Sequence, residues 1–209
     1  MNNPREFWNE LITKASWEKL LEINQRYEFI LIGGWATYLW TKKHKSKDID
    51  IVVDYSELQK FNAEFRLEKN ERLKKYEIKL DDFDIDIYLP KFSKLSLPVE
   101  VLSKYKVKIE GINTISSEAL VVLKQGAEIA RRGSIKGRKD QIDLLTILTS
   151  SDFDIKKYSE FITKYRLERY KEELINVVKN FSKNDLAYVG FNEHYFSKWK
   201  KEFLRKILN

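Results

Sequence analysis

The sequence contains no cysteine and only two histidines, His44 and His194, among its 209 residues. The absence of cysteine excludes disulfide bonds, thiolate zinc sites and cysteine nucleophiles. Two histidines so far apart in the chain do not readily make a histidine metal site or a Ser-His catalytic triad. We therefore set aside both kinds of site.

The sequence also lacks long hydrophobic runs and flexible linkers. No stretch reaches the roughly 18 consecutive apolar residues of a membrane span, and the amino-terminal sequence MNNPREFWNELITK lacks the apolar core of a signal peptide. There is no internal repeat and no segment rich in Gly, Pro or Ser. We therefore expect a soluble, cytoplasmic protein with no membrane partner.

Positive charge is unevenly distributed along the chain. The segment 155–209 holds 13 Lys or Arg and 7 Asp or Glu, so that +6 of the formal charge of +7 lies there. Such asymmetry favours a nucleic-acid or polyphosphate partner, although a lysine-rich helical surface kept soluble by its charge would look the same.

The amino-terminal half alternates predicted helices and strands. Two helices come first, one beginning at Pro4 and one capped by Ser16. Their apolar positions are Phe7, Trp8, Leu11 and Ile12 in the first helix, and Trp17, Leu20, Leu21 and Ile23 in the second. The remaining predicted elements are a strand over 27–32, a Gly33-Gly34 turn, a helix over 35–41, a strand over 48–53, a charged helix over 56–70, one or two strands over 76–89, and a strand pair over 105–115 that turns near Glu110 and Gly111.

From Ser116 onward the periodicity is helical. Helices are predicted over 117–131, 140–150, 155–181 and 193–208, the last with an apolar stripe formed by Phe196, Trp199, Phe203 and Ile207. The pattern predicts an α+β fold in which a core domain, 1–115, precedes an α-helical carboxyl-terminal domain, 116–209.

Asp48 and Asp50 interrupt an otherwise apolar strand. A desolvated carboxylate without a partner costs roughly several kcal/mol, and aspartate is a poor strand former. Residues two apart on a strand face the same side, and adjacent carboxylates stay ionised only when a cation shares them. The spacing therefore predicts a site for hard divalent ions, with Mg²⁺ as the expected ion.

A second strand can complete this site. Asp82, Asp84 and Asp86 are predicted on one face of 76–89, and three acids around two metal ions suit phosphoryl or nucleotidyl displacement. Gly33 and Gly34, at a helix amino terminus, would let backbone N–H groups approach a triphosphate closely. Singly, a glycine pair is often only a tight turn and alternating aspartates can guard an edge strand, so the prediction depends on their combination.

GGWA at 33–36, KSKDIDIVVD at 45–54 and FDIDIYLP at 83–90 together resemble the nucleotidyltransferase superfamily of the DNA polymerase β type. The resemblance covers 27–90. It implies a small mixed β-sheet core with flanking helices, two Mg²⁺ ions held by Asp48 and Asp50, and transfer of a nucleoside monophosphate from a nucleoside triphosphate with release of pyrophosphate. In that family a third acid binds metal and helps to activate the acceptor hydroxyl. Asp86 fits that role, and Asp84 is the alternative.

The segment SSEALVVLKQGAEIARRGSIKGRKDQIDLLTIL, residues 116–148, resembles the helical region of AbiEii-like toxin nucleotidyltransferases. The resemblance implies that Lys124 contacts the triphosphate and that Asp140 and Asp143 close the site. The alternatives are a solvated helix lysine for Lys124 and a helix N-cap for Asp140. A basic loop in this segment is expected to grip phosphates of the nucleotide or of an RNA acceptor, unless it is merely exposed; its members are Arg131, Arg132, Lys136, Arg138 and Lys139.

The sequence departs from the family pattern before the first aspartate. A basic residue commonly stands four positions before it, and His44 occupies that place here. We expect phosphate contacts from Ser46 and Lys47 in this loop, with His44, or Lys43 or Lys45 in its place, as a further donor.

The leading hypothesis is a magnesium-dependent nucleotidyltransferase, of the toxin-like kind, that modifies tRNA or another macromolecule. An antitoxin protein is a candidate partner, and the sequence leaves open whether the protein is half of a toxin-antitoxin pair. One alternative is a small-molecule transferase of the antibiotic-modifying type, which shares the metal site but would need an acidic pocket for a cationic drug. The other is a catalytically silent module that binds RNA or protein through its basic helices.

Overall fold

The computed structural model describes residues 10–208, and the chain divides into two compact units between Ser116 and Ser117. The first unit contains α1 (Glu10–Arg26), β1 (Ile30–Ile32), α2 (Gly33–Thr41), β2 (Ile49–Val52), α3 (Tyr55–Glu64), β3 (Leu67–Asn70), β4 (Lys75–Lys79), β5 (Asp84–Tyr88), a 3₁₀ helix (Val99–Tyr105), β6 (Lys106–Ile109) and β7 (Ile112–Ile115). The second contains α4 (Ser117–Arg131), α5 (Ile135–Ser150), α6 (Ile155–Lys164), α7 (Arg169–Asn180), a 3₁₀ turn (Lys183–Asp185), α8 (Leu186–Val189) and α9 (Glu193–Leu208).

The first unit is built on a seven-stranded mixed sheet with the order β3-β4-β5-β2-β1-β7-β6. β2 pairs with β5 and β1 with β7 in parallel, and the other neighbours are antiparallel. With the helical segment that follows, this sheet confirms the predicted α+β fold. No helix among residues 10–208 is both long enough and apolar enough to cross a membrane.

The two central parallel strands show why aspartates can lie within this sheet. Ile49 and Ile51 of β2 lie opposite Ile85 and Ile87 of β5, and all four side chains are fully buried. Because side chains alternate along a strand, the acidic residues between these isoleucines point to the other face. The apolar residues therefore anchor the strands in the core, and the intervening carboxylates lie together on the opposite face of the sheet.

The prediction of two amino-terminal helices divided at Ser16 is wrong. Residues 10–26 form one helix, in which the Ser16 hydroxyl is buried and accepts a hydrogen bond from Trp35 Nε1 at 2.9 Å. Leu11, predicted to be buried, is 81% exposed. The predicted helix start at Pro4, with Phe7 and Trp8, lies outside the described residues.

Two segments of the sheet also differ from prediction. The charged helix predicted over 56–70 ends at Glu64, and Leu67–Asn70 instead forms an edge strand paired with β4. Residues 76–89 form two strands joined by a turn, so Asp82 lies in the turn and does not share a strand face with Asp84 and Asp86. Antiparallel pairing overrode the helical propensity of the first segment.

The helical unit begins and ends as predicted, with different breaks inside. α5 begins at Ile135, five residues before the predicted start, because the Ser134 hydroxyl accepts a hydrogen bond from Gly137 N and caps the helix. Asp140 is therefore not an N-cap. The helix predicted over 155–181 is divided into α6 and α7 near Arg166, which has φ +56°.

Candidate active site

Asp50 and Asp86 are neighbours across the parallel strands β2 and β5, where their Cα atoms are register partners. Adjacent strands lie about 4.8 Å apart, so their side chains share one small area of the sheet face. Asp48 directly precedes β2, and its Oδ1 accepts a hydrogen bond from Asp84 N at 3.2 Å. Tyr88 OH donates to Asp50 Oδ1 at 3.4 Å from the same face of β5. The structure thus brings the predicted carboxylates Asp48, Asp50 and Asp86 together.

Gly33 and Gly34 form a turn whose backbone packs closely against Asp50 and Ser46, and we call this turn the glycine corner. A Cβ atom on Gly33, which has φ +69°, would lie 2.1 Å from Asp50 Oδ2. A Cβ on Gly34 would lie 2.4 Å from the hydroxyl of Ser46, which is buried and donates to Asp48 O at 3.1 Å. Only glycine fits at either position without displacing one of these side chains.

The two glycines are also the first residues of α2, and no side chain caps that helix end. The first-turn N–H groups of a helix have no partner within the helix and carry a partial positive charge. The predicted phosphate-contacting residues Gly33, Gly34 and Ser46 therefore lie beside the carboxylates. Lys47, in the same loop, is exposed.

The sequence reasoning missed a lysine that pairs with the third carboxylate. Lys75 Nζ lies 2.6 Å from Asp86 Oδ2 and 2.8 Å from Glu77 Oε1, and each of the three side chains is less than 15% exposed. β4 places Glu77 directly opposite Asp86. Asp86 Oδ1, which is fully buried, has no hydrogen-bond partner.

The charges around Asp86 oppose one another. Burial raises the pKa of Asp86, the negative charges of Glu77 and Asp48 add to that increase, and Lys75 opposes it. Burial alone would lower the pKa of Lys75, but its hydrogen bonds to Asp86 and Glu77 raise it. One ammonium shared by two carboxylates stays charged, yet it does not fully compensate either carboxylate.

The two candidates for the third acid, Asp84 and Asp86, differ in their surroundings. Asp86 is the register partner of Asp50, whereas Asp84 lies opposite Lys79 and pairs with its ammonium at 2.7 Å in an exposed position. Asp84 meets Asp48 through its backbone N–H and not through its carboxylate. The geometry therefore favours Asp86 as the third acid.

The carboxylates fit a hard divalent cation in two respects. Asp86 Oδ1 is a buried oxygen without a partner, and the close approach of Gly33 confines Asp50 to one side. Carboxylate oxygens are the ligands that Mg²⁺ prefers. Within residues 10–208, however, no three acidic or histidine side chains are already arranged as a metal-binding cluster. The pairing of Asp86 with Lys75 is consistent with that finding.

Lys124 and Asp143, predicted at the site, form a buried ion pair within the helical unit. Lys124 Nζ lies 2.6 Å from Asp143 Oδ2 and 3.8 Å from Asp140 Oδ1, and all three side chains are less than 10% exposed. Lys124 is therefore not a solvated helix lysine. A direct contact between its ammonium and a triphosphate stays a prediction, and such a contact would compete with Asp143.

The prediction of a basic loop is wrong in its conformation, because most of its members lie on helices. Its three arginines pair with carboxylates, and their contact with phosphates stays a prediction. Arg131 pairs with Asp140, and Arg138 pairs with Asp185. Arg132 bonds Glu128 at 2.7 Å and Glu173 at 2.8 Å, and these bonds raise the pKa of its guanidinium. Lys136 and Lys139 belong to α5. Glu128 and Asp140 are close in the sequence, whereas Glu173 and Asp185 come from distant parts of the chain, which the local sequence does not reveal.

Replacing Lys124 with methionine tests whether the buried pair is structural. The variant leaves Asp140 and Asp143 buried without this cation, so we expect a loss of about 3–5 kcal/mol in the free energy of unfolding, measured by urea denaturation. Lys136→Met, at an exposed position of α5, is the control and should change stability by less than about 0.5 kcal/mol. Equal stability of the two variants would contradict a structural role for Lys124.

No protein-family model and no curated protein matches the chain. Among solved structures, the chain is similar to an antigenic nucleotidyltransferase-like protein from Paracoccidioides brasiliensis, with 17% identity, a TM-score of 0.46, and coverage of 86% of this chain and 89% of that one. It is also similar to JHP933 from Helicobacter pylori, with 15% identity, a TM-score of 0.42 and coverage of 95% of each chain. The structures that this chain resembles thus include a nucleotidyltransferase-like protein.

Proposed function

We propose that the protein is a magnesium-dependent nucleotidyltransferase that moves a nucleoside monophosphate from a nucleoside triphosphate to an acceptor hydroxyl. The observation that carries the proposal is that Asp50 and Asp86 lie opposite each other on neighbouring strands, with Asp48 beside them. The backbone of Gly33 packs closely against Asp50. This arrangement combines a carboxylate cluster suited to divalent ions with backbone N–H groups suited to phosphate.

In the proposed reaction the acceptor oxygen attacks the α-phosphorus in line with the leaving group. A new P–O bond forms, the bond between the α-phosphorus and the bridging oxygen breaks, and pyrophosphate leaves with the bond's electrons. Divalent cations held by Asp48, Asp50 and Asp86 would neutralise charge on the triphosphate and favour ionisation of the attacking hydroxyl.

The chain's own residues supply the remaining steps of this proposal. The first-turn amides of α2, at Gly33 and Gly34, bind the phosphates, with Ser46 and Lys47 in the loop between α2 and β2. The Asp86 carboxylate helps to activate the acceptor hydroxyl by receiving its proton.

The proposed acceptor is a macromolecule, with tRNA as the first candidate. The support is the concentration of positive charge in 155–209, which suits a polyanion, together with the resemblance of 116–148 to AbiEii-like toxins. The same resemblance suggests an antitoxin protein as a partner.

The direct test is incubation of the protein with each labelled nucleoside triphosphate, Mg²⁺ and a tRNA pool. We expect one triphosphate to transfer its label to RNA, EDTA to stop the transfer, and added Mg²⁺ to restore it. Calorimetry measures nucleotide binding with and without Mg²⁺. Magnesium-dependent binding without transfer to RNA would mean that the acceptor is wrong and that the proposed reaction still stands. Absence of both transfer and magnesium-dependent nucleotide binding would favour the silent binding module.

A further inference from the structure

β4 carries alternating charges on the face that holds the candidate site. Lys75, Glu77 and Lys79 share that face, with Glu77 opposite Asp86 and Lys79 opposite Asp84. The two lysines differ in burial: the side chain of Lys75 is 11% exposed, whereas that of Lys79 is 47% exposed. Lys75 is therefore the more deeply buried positive charge on this face of β4.

The ammonium of Lys75 forms an ion pair with only one of the two carboxylate oxygens of Asp86. Nζ lies 2.6 Å from Oδ2, and Oδ1 has no hydrogen-bond partner. Glu77 fixes the ammonium from its other side at 2.8 Å. A lysine held by two carboxylates in a buried position has little freedom to leave, because its departure would leave the buried Asp86 carboxylate without an ion pair.

We propose that Lys75 is a built-in countercation of the candidate metal site, which orients Asp86 and competes with divalent ions for its charge. This inference rests on the proposed function, since it assigns Asp86 to the metal site. It explains how Asp86 is held near Asp50 in the absence of a divalent ion, and why its carboxylate is not already part of a three-acid cluster.

The proposal has a consequence for metal loading. A fixed positive charge close to the site repels a divalent ion, so the protein alone binds such ions weakly. A triphosphate adds negative charge to the site and offsets that repulsion. We therefore expect metal and nucleotide to bind with positive coupling, and removal of Lys75 to weaken that coupling.

Manganese binding without nucleotide tests the proposal by a readout other than activity. Mn²⁺ affinity is measured by electron paramagnetic resonance or calorimetry for wild type, Lys75→Met, Lys75→Arg and Lys79→Met. We expect Lys75→Met to bind Mn²⁺ about tenfold more tightly than wild type or better, because the competing charge is gone. Lys75→Arg, which keeps the charge, and Lys79→Met, which removes a lysine that does not contact Asp86, should stay within about threefold of wild type.

A stability measurement covers the case in which Lys75→Met folds poorly. Without metal the variant leaves Asp86 without its ion pair, whereas Glu77 keeps Lys79 at 3.6 Å. The variant should therefore melt below wild type, and Mn²⁺ should raise its melting temperature more than it raises that of wild type. The double variant Lys75→Met/Glu77→Gln removes one charge of each sign, so it should keep part of the tighter Mn²⁺ binding, since Asp86 still loses its ion pair, with a smaller loss of stability.

The outcomes separate this inference from the proposed function. Unchanged or weaker Mn²⁺ binding by Lys75→Met and by the double variant would overturn the role of Lys75. If wild type binds Mn²⁺ and Asp50→Asn does not, the metal site itself is still supported. Failure of every variant to bind Mn²⁺, even with a nucleoside triphosphate present, would overturn the metal site and the inference together.

Discussion

Replacing Asp86 with asparagine is expected to reduce nucleotidyl transfer by about 10²- to 10⁴-fold, because the variant loses both a metal ligand and the group that receives the acceptor proton. The side chain keeps its size, and its amide oxygen can still accept a hydrogen bond from Lys75, so the sheet should remain folded. Transfer of label from the preferred triphosphate, measured in a single turnover, reports the chemical step. A melting curve establishes that the variant is folded.

Asp84→Asn is the matched control for this prediction. It removes the same charge from the same strand two residues away, but the Asp84 carboxylate is paired with Lys79 at an exposed position and meets Asp48 only through its backbone N–H. We expect less than about a threefold change in transfer, since exposed ion pairs contribute little. The opposite ranking of the two variants would identify Asp84 as the third acid, and equal activity of both with wild type would remove the catalytic role from β5.

The parts of the fold that were predicted correctly are those whose local pattern agrees with the tertiary environment. The alternation of isoleucine and aspartate fixed β2 and β5, because the apolar side chains had to face the core. The turn at Glu110 and Gly111 gave the β6–β7 hairpin, and both residues have positive φ there. Helical periodicity correctly bounded α4 and α9.

These errors come from contacts with other elements of the fold, which the pattern within one segment does not show. Ser16 has the chemistry of an N-cap, but its hydroxyl serves Trp35 from inside a continuous helix. The charged segment after Glu64 has helix-forming residues, yet β4 offers Leu67–Asn70 a hydrogen-bonded partner. Local propensity is a weak prior, and a tertiary contact of modest energy overrides it.

The acidic neighbours of Asp86 could be predicted from the sequence, but its basic partner could not. The strand pattern predicts the positions of Asp48, Asp50 and Asp86. Nothing in the local sequence distinguishes Lys75 from an ordinary surface lysine. A signal was present, since the alternation in KYEIK places Lys75 and Glu77 on one face and a hairpin through the following turn pairs that face with Asp86. The sequence did not predict the register between β4 and β5, which determines the partner of each residue.

Gly33→Ala is expected to lose about 2–5 kcal/mol of unfolding free energy and to impair transfer strongly. The residue has φ +69°, which costs an L-residue roughly 1–2 kcal/mol, and the new Cβ would lie 2.1 Å from Asp50 Oδ2. Relief of that overlap requires Asp50 to move, at a further cost of about 1–3 kcal/mol. Chemical denaturation measures the first effect, and Mn²⁺ affinity with single-turnover transfer measures the displacement of Asp50.

Gly111→Ala separates the two causes. Gly111 has φ +81° with no atom within 4 Å of an added Cβ, so alanine there should show the backbone cost alone and leave Mn²⁺ binding and transfer unchanged. The difference between the two variants is then the energy of the contact between the glycine corner and Asp50. If both variants lose the same stability and both keep wild-type transfer, Asp50 is free to move away from Gly33, and the close corner is not what holds the carboxylate for the reaction.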